Sequence, residues 1–143
     1  MTSPEFENLV RTGKLKREPP AAGELEGLQH SGEARLADAT KSDLSIESRF
    51  DLAYNAAHVL ALAALRRLGY RSENRYLVFQ TLPHTLGLPS AVWRVLAKAH
   101  ERRNLAEYEG ILDVDERLVA DLIDAAKSVL AALRASQVPP SER

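Results

Sequence analysis

Apolar residues recur along this chain at three- and four-residue intervals almost throughout, and neither strand-like alternation nor an Asn-Gly hairpin signal interrupts them. The pattern predicts an all-α protein, an up-and-down bundle of about five helices with short connections. Ser3 followed by Pro4 opens a short leading helix that Gly13 stops, and "KREPPAAGE" then reads as a linker, so residues 1–20 are expected to form a peripheral arm. The helical domain is expected over residues 21–136, with a disordered tail at 137–143.

Within that domain a first helix is expected from about Ala22 to Ala39, with Leu25, Leu28, Leu36 and Ala39 on one side and Gly27 and Gly32 weakening or kinking it. The strongest pattern begins near Ser45 and ends at Gly69, a natural left-handed stop. Phe50, Tyr54, Ala57, Ala61, Ala64 and Leu68 form its stripe, and the alanines permit close approach by a neighbour. Ser72 is expected to cap "ENRYLVFQTL", which Pro83 interrupts, and a bend at "PHTLGLP" follows. A helix resumes at Ser90 and stops at Gly110. Asp113 with Glu116 reads as a capping box for a last helix through about Ala135.

A chain of 143 residues, 45% hydrophobic and 27% charged, suits one domain with a real core. The formal charge of −1 exerts no global pull on polyanions, so any nucleic-acid surface must be a local patch. There is no cysteine, hence no disulfide framework and no thiolate metal site. The first residues lack a signal-peptide core and no apolar run approaches the roughly 18 residues of a membrane span, so a soluble, cytoplasmic protein is expected.

The stretch "HERRNLAEYEG", His100 to Gly110, changes the picture, because polar groups take over the inward positions of its helix. Advancing about 100° per residue from Leu96 places Arg103 and Glu107 within roughly 20° of it, His100 about 40° away and Asn104 on the flank. Burying a guanidinium without partners costs several kcal/mol, so this end of the stripe must meet acidic groups, water, a ligand or a second subunit. Asp51 and Asn55, one turn apart near Tyr54, are the candidates for an internal pair with Arg103. An interface or phosphate site is the other reading.

"RNLAEY" preceded by "HER", late in a helical chain, resembles the Arg-Asn-x3-His element of HEPN domains, and "SRFDLAYNAAHVLALAALRRLGYRSENRY" resembles their alanine-rich second helix. The similarity spans roughly residues 22–135. It implies a small helical bundle that dimerises, with arginine and histidine of both subunits forming a metal-independent ribonuclease site in the cleft. Arg103 and Asn104 match the motif, while Tyr108 stands at the histidine position, where a phenol of pKa near 10 is a poor proton shuttle but can donate a hydrogen bond to phosphate. Arg103, Glu107 and Tyr108 also match the Arg-x3-(Asp/Glu)-Tyr version found in several HEPN branches. The resemblance thus implies a homodimeric, RNA-directed module that binds RNA or cleaves it weakly, as the toxin-type partner of a small nucleotidyltransferase. The alternative is a non-catalytic interaction domain, dimeric through the same surface.

His100, one turn before Arg103, is the candidate to replace the missing base. His58 and His84 are weaker candidates, and no histidine pair has zinc-ligand spacing. Arg66, Arg67, Arg71 and Arg75, interleaved with Tyr70 and Tyr76, suit either a phosphate grip with base stacking or the ordinary preference for cations at a helix C-terminus. No phosphate-binding glycine loop, nucleophile elbow or paired-carboxylate signature is present, so no cofactor is expected.

Overall fold

The computed structural model describes residues 4–137. Seven helices account for most of them: α1 (Pro4–Arg11), α2 (Glu24–Ala39), α3 (Ile46–Arg67), α4 (Arg75–Gln80), α5 (Leu82–Thr85), α6 (Ser90–Glu109) and α7 (Glu116–Ser136). The expected tail beyond Gln137 lies outside the described residues. None of the described helices is long and apolar enough to cross a membrane.

α3 is the axis of the bundle. Half of its residues are buried, among them Phe50, Tyr54, Ala57, Leu60, Ala61 and Ala64, and it packs against α2, α7, α4 and α6. Its alanine stripe lets these neighbours come close, while Leu118, Val119, Leu122, Ala126, Val129 and Leu133 of α7 supply the bulk that fills the opposing layer. Local chemistry sets the helix ends. The Ser45 hydroxyl accepts from the Ser48 amide at 3.1 Å, and α6 stops at Gly110, whose φ of 73° is open to glycine at no steric cost.

Several details depart from the sequence expectation. The cap of α4 is Asn74, whose Oδ1 accepts from the Leu77 amide at 3.0 Å, while Ser72 accepts from the amide of Asn74 itself. α7 is capped by Asp115, not Asp113, through a 2.8 Å bond from the Leu118 amide. Pro83 falls in the first turn of a new short helix, where its missing N–H goes unused. Gly32 is buried against α3, and a Cβ there would lie 2.5 Å from Leu60 Cγ, so this glycine is a point of close helix approach.

The N-terminal arm is part of the packed structure. Phe6 and Leu15 are each 2% exposed, and the Phe6 ring meets Tyr70 edge-on at 5.2 Å. A two-residue strand β1 (Lys16–Arg17) pairs antiparallel with β2 (Tyr70–Arg71), and the Glu18 amide donates to the Gly69 carbonyl at 2.8 Å. This backbone bridge ties the arm to the turn between α3 and α4.

Candidate functional site

Tyr54, in the middle of α3, has no exposed surface, and five side chains from three helices close on its ring. Phe50, one turn earlier, stacks on it at 6.2 Å, and Phe79 of α4 meets it edge-on at 5.7 Å. The guanidinium carbons of Arg75 and Arg103 lie 5.6 and 5.2 Å from the ring centre, within the range of cation–π attraction. His100 of α6 completes the set, its Nδ1 2.9 Å from the Tyr54 hydroxyl and its Nε2 3.1 Å from the Asn104 amide nitrogen. With that amide as donor, Nε2 accepts, and the ring proton lies on Nδ1, donated to the Tyr54 oxygen.

The electrostatics follow from burial beside two cations. Burial, then Arg103 and Arg75, hold the His100 imidazole below its ordinary pKa, with Glu107 pulling weakly the other way. His58, one turn along α3 from Tyr54, is lowered from 6.5 to about 4 by burial first and then by Arg75, Arg103 and His100. Its ring meets Phe79 edge-on at 6.1 Å. Burial pushes the Tyr54 phenol up, against the pull of Arg103 and Arg75. At neutral pH the cluster therefore holds two neutral imidazoles, a neutral phenol and two permanent positive charges.

Little negative charge answers those two cations. Arg75 donates to Asn55 Oδ1 at 3.0 Å, while Asn55 in turn donates to the Asp51 carbonyl, so Asn55 is the partner of Arg75 and not of Arg103. Arg103 pairs with Glu107 on its own helix at 3.2 Å, their side chains 33% and 63% exposed. An ion pair this wet contributes on the order of 1 kcal/mol or less, so Arg103 can exchange the carboxylate for another anion at small cost. The internal Arg103–Asp51 pair does not form among the described residues, and Asp51 is exposed.

Beside this cluster, an open groove of about 730 Å³ runs along α6, where Trp93, Arg94, Lys98, His100 and Tyr108 line it with Tyr76 of α4. Tyr76 meets Trp93 edge-on at 5.2 Å and tilts over His100 at 5.4 Å. Tyr108 is 90% exposed, so it stands at the rim of the groove, clear of the hydrogen bonds that hold His100. Of the candidate residues Arg103, His100 and Tyr108, the first two meet Tyr54, and Tyr108 faces solvent at the groove that His100 also lines. Tyr54 as a polar hub and Trp93 as a groove wall were not singled out by the sequence, whereas Tyr76, a candidate for base stacking, does line the groove. An aromatic on an apolar stripe reads as core until its cross-helix neighbours are known.

The arginine run divides. All five N–H groups of Arg66, which is 1% exposed, are used by the Glu24 carboxylate and by the carbonyls of Glu18, Pro19 and Tyr70. Arg66 therefore has no donor left for phosphate and fastens the linker to the end of α3. Arg71 pairs with Glu18 and Glu24, and Arg67 donates to Ser136 of α7. Arg75 alone of the four joins the Tyr54 cluster. His84 packs on Phe6 of the arm at 5.7 Å, away from that cluster. Among the described residues no group of three or more His, Cys, Asp or Glu side chains is placed to hold a metal ion.

No family model, no curated protein and no solved structure matches this chain.

Proposed function

We propose that this chain is a homodimeric, RNA-binding helical module of HEPN type, weakly active at most as a ribonuclease, with a small nucleotidyltransferase as its partner. One observation carries the RNA reading. Arg75 and Arg103 converge on a single buried tyrosine with one exposed carboxylate, Glu107, paired to Arg103, beside a groove walled by Tyr76, Trp93 and Tyr108. Fixed guanidinium groups suit a phosphodiester, and exposed rings beside them suit stacked bases. Weak catalysis is expected because Tyr108 stands exposed at the groove rim and both His100 nitrogens are already engaged.

The test is fluorescence anisotropy with a labelled single-stranded RNA over a salt series. Wild type should bind with modest, salt-dependent affinity. Arg75→Ala and Arg103→Ala should each weaken binding about tenfold or more, the scale of a lost charge-assisted hydrogen bond. Each should also make the slope of log affinity against log salt shallower by about 0.7. RNA affinity that is absent at low salt, or unchanged in both variants, overturns the RNA reading and favours the interaction domain, to which the exposed Leu105, Tyr108 and Ile111 side chains belong in that case.

A further inference from the structure

A second hollow, of about 460 Å³, lies between the N-terminal arm and the start of α4, where Lys14, Lys16, Arg71, Asn74 and Tyr76 contribute to its walls. Tyr76 also lines the groove beside the Tyr54 cluster, so the two hollows share a wall and meet across its ring. That ring is 38% exposed and held edge-on by Trp93, which fixes its orientation while leaving surface open. Arg71 is committed to Glu18 and Glu24, whereas Lys14 and Lys16 form no ion pair among the described residues. Their position is set by the fold: the backbone pairing of Lys16 with Arg71 holds the arm beside α4. Glu73 is the carboxylate of this hollow and Glu101 that of the groove, against Lys14 and Lys16 in the first and Arg94 and Lys98 in the second.

We infer that the arm builds a second phosphate subsite, so that a single-stranded RNA runs from the groove across Tyr76 into the hollow beside Lys14 and Lys16. This rests on the RNA reading of the Arg75–Arg103 site and adds the path and the strandedness of the ligand. A stiff A-form duplex presents its bases edge-on inside the helix and cannot lay them on Tyr76 and Trp93, whereas a single strand offers base faces to the rings and its backbone to flanking cations. The lysines suit this role because an ammonium on a flexible stem follows a phosphate as a point charge, without needing the fixed fork that Arg75 and Arg103 supply.

The experiment compares two labelled oligouridylates, one of roughly twelve nucleotides that can span both hollows and one of about three that can fill only the groove. It uses wild type, Arg103→Ala, and the double variant Lys14→Gln with Lys16→Gln. Both lysines are exposed and Lys16 pairs through its backbone, so the double variant should melt with the wild type. The long strand should bind the double variant more weakly, with a salt slope shallower by about 1.4, the value for two lost single-strand phosphate contacts. Affinity for the short strand should stay as in wild type, while Arg103→Ala weakens both. Unchanged long-strand affinity and slope in the lysine variant, with Arg103→Ala still impaired, overturns the subsite and leaves the RNA reading standing. Equal weakening of long and short strands overturns it too, because a diffuse field acts on both. Failure of wild type to bind either strand removes the RNA reading itself.

Discussion

At the residue scale, the Tyr54 cluster makes the charge state of His58 a property of the fold. Its pKa is held at about 4 in place of 6.5, chiefly by burial, then by the facing Arg75, Arg103 and His100. Between those values the unfolded chain binds more protons than the folded one, so the stabilisation is complete above the unfolded value and is lost as pH falls toward the folded one. Allowing for partial hydration, this amounts to about 2 kcal/mol. His100, lowered in the same direction by burial and then by Arg103 and Arg75, adds to the loss as pH falls below the ordinary imidazole value. Glu24 acts in a separate and lower window, since Arg66 and the Ala21 amide hold its carboxyl at about 2 against 4.5, and its contribution disappears only as pH falls through that interval. The melting temperature should therefore drop as pH falls from 6.5 to about 4. His58→Gln should flatten that drop without touching the loss at lower pH, as thermal scans in a buffer series will show. An equal drop in wild type and variant would count against the assignment.

At the scale of elements, glycines of similar appearance in α2 have opposite duties. Gly27 and Gly32 both read as weak points of a helix, since glycine costs about 1 kcal/mol relative to alanine. In the bundle a Cβ on Gly27 meets nothing, whereas one on Gly32 lies 2.5 Å from Leu60 Cγ, a branch point that cannot swing away as a side-chain tip can. Gly27→Ala should then stabilise by about 1 kcal/mol. Gly32→Ala should destabilise by about 1–2 kcal/mol, overpacking exceeding the gain in propensity. Leu60→Ala should relieve that clash, so urea denaturation of the single and double variants should give coupled, non-additive changes. Helix stops and stripes were legible because they depend on neighbours in sequence: Ser45, Gly69 and Gly110 end their helices by local chemistry, and Phe50, Tyr54 and Leu96 are buried as their spacing predicts. What spacing along one helix cannot show is an encounter between helices. Arg75 reaches Tyr54 only because α4 turns back onto α3, and the arm is fixed by a two-residue backbone bridge that carries no compositional signal.

At the scale of the whole molecule, the exposed apolar surface is concentrated where α6 ends. Leu105 is 41%, Tyr108 90% and Ile111 71% exposed, and all three lie within two turns of the helix stop at Gly110. Single exposed apolar residues are ordinary, but neighbouring ones mark a surface that gains by being covered. A second copy is the economical cover, because a two-fold axis beside this end of α6 lets one patch meet itself and brings both copies of the nearby Arg103 toward the axis. Light scattering at tens of micromolar should then give about twice the 15.8 kDa chain mass. Leu105→Glu combined with Ile111→Glu should return it to one chain, since like charges placed across a self-complementary contact repel. Both side chains are exposed, so the double variant should melt near the wild type at dilute concentration, where assembly no longer adds stability. If the groove is completed across the axis, Ile111→Glu alone, outside the groove lining that includes Leu105, should lose RNA affinity as it loses the second copy, although every arginine is intact. A wild type that runs at monomer mass throughout that concentration range rules out the two-fold contact, and RNA affinity unaltered in a monomeric variant places the whole binding surface within one chain.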